Sequence, residues 1–219
     1  MPSLHELLAE HAPLLLLDAA SARVQTGFLE ADGRARWTAA EEEAGVALFR
    51  GVASLGAAPA AARAFVFCEG PGSILGIRTA AMALRAWNVL AARPVFAFRS
   101  LEIVAHDLAR PGATGDFSVI ADARRETWHC VDVRGGAVGP LRRAPAPELS
   151  GALVLPENFR TWSALPPGTR RVGYDLAALL PRVADVDLFR LTGAPDAFLH
   201  EDPSYKTWTP HIHGASARP

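Results

Sequence analysis

The residues of the 219-residue chain with most potential for chemistry are Glu69-Gly-Pro-Gly-Ser-Ile-Leu-Gly-Ile-Arg78. The segment follows the apolar run Ala64-Phe-Val-Phe-Cys68 and precedes a helical pattern, and backbone N–H groups at such a strand-to-helix turn can hold an anion. The familiar phosphate-cradling spacings nevertheless fail. A P-loop needs a glycine where Leu75 stands and a lysine after it, and no lysine is near. Pro71 replaces the first glycine of a nucleophile elbow, and the third glycine falls out of step with the dinucleotide-binding fingerprint. Two readings stay open: phosphate binding, or a tight turn with close helix packing at Gly72 and Gly76.

Metal and thiol chemistry find less support. Cys68 and Cys130 lie far apart without a C-x-x-C pair, which suits a reducing compartment and buried thiols. The histidines, at 5, 11, 106, 129, 200, 211 and 213, include no His-x-x-x-His spacing, and His211 and His213 read as solvated residues of a tail.

The elements that must position the glycine-rich turn follow from hydrophobic periodicity. Leu4, Leu7 and Leu8 share one face of a short helix. The unbroken run Leu14-Leu-Leu-Leu17 predicts a fully buried strand ending at Asp18, and residues 24–29 its hairpin partner. Asp32-Gly33 is a turn signal opening a third strand through Arg36, Trp37 and Thr38. A helix is expected over residues 40–55 with Glu41 to Glu43 in its first turn, and a longer one over 74–90. Residues 94–98 read as a strand, and Ser100 as the N-cap of a helix over 101–109. After a loop at 111–115 the pattern restarts with strands at 117–121 and 127–133. Beyond Pro140 the elements are short: strands at 152–155 and 171–173, and a helix at 176–182. The order implies an α/β fold with a mixed sheet, repeated in a shortened second half.

Composition narrows the function classes. Half the residues are hydrophobic, enough for a substantial core, and 22 basic against 23 acidic residues give a formal charge of -1. Bulk charge therefore offers no field for a polyanion. Lys206 is the only lysine, so arginine carries nearly all the positive charge. The N-terminus shows neither a basic flank nor a cleavage site, and the leucine run is too short to span a bilayer, so a cytoplasmic, membrane-free protein is expected.

Four segments resemble, in order and spacing, the TsaB family, partner proteins in making threonylcarbamoyladenosine at position 37 of tRNA. Residues 69–78 are similar to its G-P-G-S-F-T-G-x-R signature, and Leu16-Leu-Asp-Ala-Ala-Ser21 to its opening strand and D-T-A or D-T-S turn. Ser100-Leu-Glu-Ile-Val-Ala105 resembles its S-L-x-x-x-A helix start, and Ile120-Ala-Asp-Ala-Arg-Arg-Glu126 its I-D-A-R-x-x-E, with Trp128 where the family has tyrosine. The match spans roughly residues 14–133. Ile74 and Leu75 replace the usual Phe-Thr, Ala19 replaces threonine, an extension precedes the first strand, and the region after Val133 matches weakly.

The resemblance implies two ribonuclease-H-like lobes of the actin and sugar-kinase type, expected at 1–112 and 113–200, the second shortened and diverged, with a flexible tail over 201–219. Loops after the first strand of each lobe bind phosphates in that fold. The implied nucleotide or anion contacts are thus Asp18, Gly70, Gly72, Ser73, Gly76, Arg78, Asp122 and Arg124, the aspartates reaching a metal ion through water. Family members bind a TsaD-type enzyme, or a second copy when alone, through first-lobe helices. Leu48, Phe49, Val52, Ile77, Met82 and Trp87 are the corresponding anchors here, amid many small residues. TsaD carries the His-x-x-x-His metal site that this sequence lacks, so no catalytic centre and no intrinsic cofactor are expected. ATP or ADP with magnesium is placed at the partner junction, a TsaE-type ATPase in the wider complex, and tRNA contact is indirect. Two alternatives share the fold: a small ATP-dependent phosphotransferase, and a structural homodimer that has lost the modification role.

Overall fold

Leu14–Asp18 (β1) is buried on both faces, as an unbroken apolar run requires, and everything in the first half of the chain is arranged around it. A computed structural model describes residues 1–110, 112 and 115–198. The expected tail, with His211 and His213, lies outside them. β1 pairs antiparallel with Val24–Leu29 (β2), which pairs antiparallel with Ala35–Ala40 (β3). On its other side β1 runs parallel to Ala64–Gly70 (β4), and β4 parallel to Val95–Arg99 (β5). Leu4–His11 (α1) precedes the sheet, capped by a reciprocal Ser3–Glu6 pair. Ala44–Ser54 (α2) packs on β2 and β3, and Ile74–Leu90 (α3) on β4 and β1.

A second sheet repeats this topology. Phe117–Asp122 (β6), Thr127–Arg134 (β7) and Ala137–Pro145 (β8) form the meander, with Ala152–Pro156 (β9) parallel to β6 and Arg170–Val172 (β10) parallel to β9. The orders β5-β4-β1-β2-β3 and β10-β9-β6-β7-β8 correspond strand for strand. The expected two-lobe architecture with a shortened second lobe is therefore present. Its shortening is specific: a 3-10 turn at Ala146–Glu148 stands where the first lobe has α2, and the loop between β9 and β10 where it has α3. Ser100–Leu108 (α4) lies between the sheets, touching strands of both, which is why its apolar residues face all round. The described C-terminal stretch carries Leu176–Leu179 (α5) and then Arg190–Leu191 (β11), which returns to pair with β5. Residues of the expected second lobe thus complete the first sheet.

Three expectations need correction. The helix expected from residue 40 begins at Ala44, because Ala39 and Ala40 are taken into the ladder opposite Gln25 and Val24. Glu43 caps it, accepting from the N–H groups of Gly45 (3.0 Å) and Val46 (3.1 Å). Ser100 is not an N-cap but lies inside α4, its buried hydroxyl donating to the Pro71 carbonyl at 2.7 Å. The sequence reading also places no strand at β8, which runs through Pro140. β8 is an edge strand, and Pro140 sits where its register to β7 shifts, so no ladder hydrogen bond is forfeited.

Candidate functional site

The two lobes meet at the C-terminal ends of β1 and β6, and each strand ends in an aspartate. Asp18 is fully buried. Its Oδ1 accepts from the Ala20 N–H at 2.7 Å and its Oδ2 from the Tyr174 hydroxyl at 2.6 Å. Burial pushes its carboxyl from 3.8 up to about 6, against the opposing pull of those donors. Burial and then the Asp18 charge push the Cys68 thiol well above its ordinary range, so Cys68 is not a nucleophile at neutral pH. Asp122 has the same turn, Oδ1 accepting from the Arg124 N–H at 2.6 Å. Its Oδ2 accepts from the N–H groups of Trp162 and Ser163, both at 2.7 Å. Partial burial pushes the Asp122 carboxyl up, yet these donors outweigh it and hold the group below 3.8.

The glycine-rich turn resolves in favour of close packing. A Cβ on Gly72 would come within 2.2 Å of the Ala20 carbonyl, and one on Gly76 within 2.2 Å of the Ala19 carbonyl. The Ser73 N–H donates to the Ala20 carbonyl at 2.7 Å, and the Gly76 N–H to the Ser73 hydroxyl at 3.4 Å. The loop after β1 thus stoppers the start of α3, where an anion would have to sit. Between the two lobe-end loops remains a cavity of about 10 Å³, room for at most one water. The structure therefore brings Asp18, Gly72, Ser73 and Gly76 together but spends them on each other. ATP or ADP with magnesium does not fit among them. Gly70 closes β4, and Arg78 projects from α3 to Asp196 at 3.6 Å, apart from that cluster. Among the described residues no group of three His, Cys, Asp or Glu could hold a metal ion.

The residues expected at an interface divide. Leu48, Val52 and Ile77 are buried in the core because the faces of α2 and α3 that carry them pack on the sheet, so as surface anchors they are corrected. Phe49 and Met82 are more than half exposed, and Trp87 is half-buried, its ring 6.1 Å from Phe49 and edge-on to it. Phe49 and Trp87, with Val52, Ala53, Gly56 and Pro59, line a hollow of about 440 Å³. Reading the sequence missed the rest of this face: Val46, Ile74, Leu75 and Leu90 are exposed, and so is Val89, which the helical pattern assigns to the inward face with Ile77, Ala81 and Leu84. A signal was available. Leu75, Met82 and Val89 recur every seven residues along α3 with Thr79 and Ala86 between them, the spacing of a helix-pairing seam.

Sequence reading also missed the joint between the lobes. Gln25 is buried, its amide donating to the Tyr174 carbonyl at 3.2 Å and accepting from the Leu176 N–H at 2.8 Å. The Ala22 N–H donates to the Asn158 carbonyl at 2.8 Å, and Phe159 packs edge-on to Tyr174 with centroids 5.1 Å apart. Glu69, buried at the end of β4, binds Arg99 at 3.0 Å and also Arg190, fastening β11 to the sheet. Tyr174 and Gln25 carry no local signal, since their partners lie about 150 residues away.

Two mixed sheets of the same topology, each with an aspartate closing its first strand, define the actin and sugar-kinase class of fold. No family model matches the sequence, and no curated protein matches it. Among solved structures the chain is similar to an uncharacterized Pseudomonas aeruginosa protein described as similar to peptidase YEAZ. That likeness has a TM-score of 0.53 and 24% identity, covering 78% of this chain and 87% of that one. YeaZ from Pseudomonas aeruginosa matches with a TM-score of 0.53, 22% identity and the same coverage. At such identity the likeness is one of fold. No helix among the described residues is long and apolar enough to cross a membrane.

Proposed function

We propose that the chain is a TsaB-type scaffold, a non-catalytic protein that binds and activates a TsaD-type enzyme in threonylcarbamoyladenosine modification of tRNA. The fold shared with YeaZ (TsaB) structures and the four ordered sequence motifs support the reading. The observation that carries it is the apolar seam on α3, flanked by Phe49 and Val46 of α2, standing exposed on the helical face of the first lobe. A heptad-spaced stripe is suited to a partner helix, each buried Leu, Met or Phe adding about 1.5–3 kcal/mol before the cost of association. A second copy occupies the seam when the enzyme is absent. A TsaE-type ATPase joins the wider complex, and ATP or ADP with magnesium belongs to the junction with the partner, since the cleft within this chain is closed. The phosphotransferase alternative gains no observation in its favour.

Co-expression with the TsaD homologue of the same genome, followed by size exclusion, tests the reading. Wild type co-elutes, while Leu75→Glu and Met82→Glu elute alone with unchanged circular dichroism. Failure of the wild type to co-elute under any nucleotide condition overturns it.

A further inference from the structure

We infer that the loop after β6, together with the loop leading from β9, forms a contact site for a single-stranded nucleic acid. Arg124, Arg125 and Glu126 are three successive non-glycine residues in the left-handed region, with φ of 63°, 53° and 59°. The turn is pinned by Asp122 Oδ1 on the Arg124 N–H, and by the Thr127 N–H (3.1 Å) and hydroxyl (2.7 Å) donating to the Arg124 carbonyl. It places the Arg124 guanidinium 4.3 Å from the ring centre of Trp162. Trp162 is itself held by its backbone N–H on Asp122, yet its residue is 54% exposed. An indole fixed at its backbone, covered by a guanidinium and still open to solvent, is a ready stacking platform.

The charge around it points to phosphates. Arg124, Arg125 and Arg160 are exposed, and among the described residues no ion pair engages any of them. Asp122 is spent on three N–H groups, and the other acids of these two loops, Glu126 and Glu157, offset at most two of the three charges. An acidic peptide would satisfy the arginines but leave the indole face unused. A mononucleotide brings one phosphate group to three guanidiniums. In a duplex the base faces are covered by their neighbours, so the indole selects an unstacked strand of two or three nucleotides. The inference stands apart from the partner-binding reading, which gives this chain no direct RNA contact and uses the opposite lobe's helices.

The test is fluorescence anisotropy of a labelled octauridylate titrated with the full chain at 50 and 200 mM salt. Three phosphate contacts predict an affinity loss of roughly twentyfold across that range, from a slope of about −0.7 per contact. Trp162→Ala should weaken binding about tenfold with Trp162→Phe retaining most of it, and Arg125→Ala should flatten the salt slope by about 0.7. Thermal midpoints establish that each variant is folded; should Trp162→Ala unfold, the phenylalanine and Arg124→Ala variants decide. Absence of salt-sensitive binding, or indifference to the Trp162 and Arg124 changes, overturns the inference. Equal binding of duplex RNA, equal competition by UMP, or equal displacement by hexaglutamate overturns it in favour of another ligand.

Discussion

The buried Asp18 carboxyl makes the sharpest test of how the two lobes are joined. Its folded-state pKa of about 6 stands above an ordinary 3.8, so the folded protein binds this proton more tightly than the unfolded chain does. The group's contribution to stability is therefore fully present below 3.8 and lost as pH rises through 6. The gap of roughly 2 units corresponds to about 3 kcal/mol at pH 8, and to about 1 kcal/mol at pH 4.5, where part of the unfolded population is already protonated. Asp18→Asn removes the charge and keeps the shape. Its oxygen still accepts from the Ala20 N–H, and its amide donates to the Tyr174 oxygen, the phenol reversing its role. The variant should thus exceed wild type by about 3 kcal/mol at pH 8 and by about 1 kcal/mol at pH 4.5. Urea denaturation at four pH values measures this. At a slope of about 2 kcal/mol/M the difference in midpoint between the two proteins widens by roughly 1 M across that range. Other titrating groups, such as the half-buried His106, are common to both proteins and cancel in the difference. A difference that stays constant with pH, or a variant less stable than wild type at pH 8, refutes the burial of a charged carboxylate at this joint.

Gly76→Ala, which in an open helix would add about 1 kcal/mol, should instead cost about 2–3 kcal/mol because the new Cβ meets the Ala19 carbonyl; a raised thermal midpoint would show that the loop after β1 can yield. Tyr174→Phe strips Asp18 Oδ2 of its donor, and should cost about 1–3 kcal/mol at pH 8 and less at pH 5, where the carboxyl is largely protonated. Chemical denaturation at those two pH values checks it. Arg125→Gly relieves a left-handed backbone and should stabilise by about 0.5–1 kcal/mol while weakening octauridylate binding, a pair of opposite effects read by calorimetry and anisotropy.

The first lobe was legible because its signals are local. Four leucines, a hairpin turn and two helical periods of apolar residues mark β1 to β5, and the glycine-rich turn marks the approach of α3 to the loop before it. The helix start at Ala44 was misplaced because alanine is at home in both a strand ladder and a helix, and only the Gln25 and Val24 partners decide. The second lobe was only partly legible, since Pro140 reads as a breaker until its place on an edge strand is known. The chemistry of the site was least legible. Asp18 and Asp122 stand out in the sequence as the ends of buried strands, but whether the Asp18 carboxylate faces a metal or a tyrosine depends on Tyr174, which comes from far along the chain.

The near-zero net charge also takes a different meaning once the pairs are located. Glu69 is spent on Arg99 and Arg190, Asp107 on Arg110 and Arg182, Asp132 on Arg134 and Arg142, and Asp196 on Arg78 and Arg85. Acids consumed in internal pairs cancel arginines there and nowhere else. Among the described residues, Arg124, Arg125 and Arg160 are left standing on the two loops at the lobe junction that carry the exposed Trp162, outnumbering by one the unpaired Glu126 and Glu157 of the same loops. Screening beyond about 8 Å at physiological salt means that a ligand at the junction meets that local charge and not the sum over the chain. A chain neutral overall can therefore present an apolar seam to a protein on one face and a cationic, aromatic loop pair on another. The two surfaces belong to different elements, α3 and the ends of β6 and β9, so a variant at either leaves the other intact.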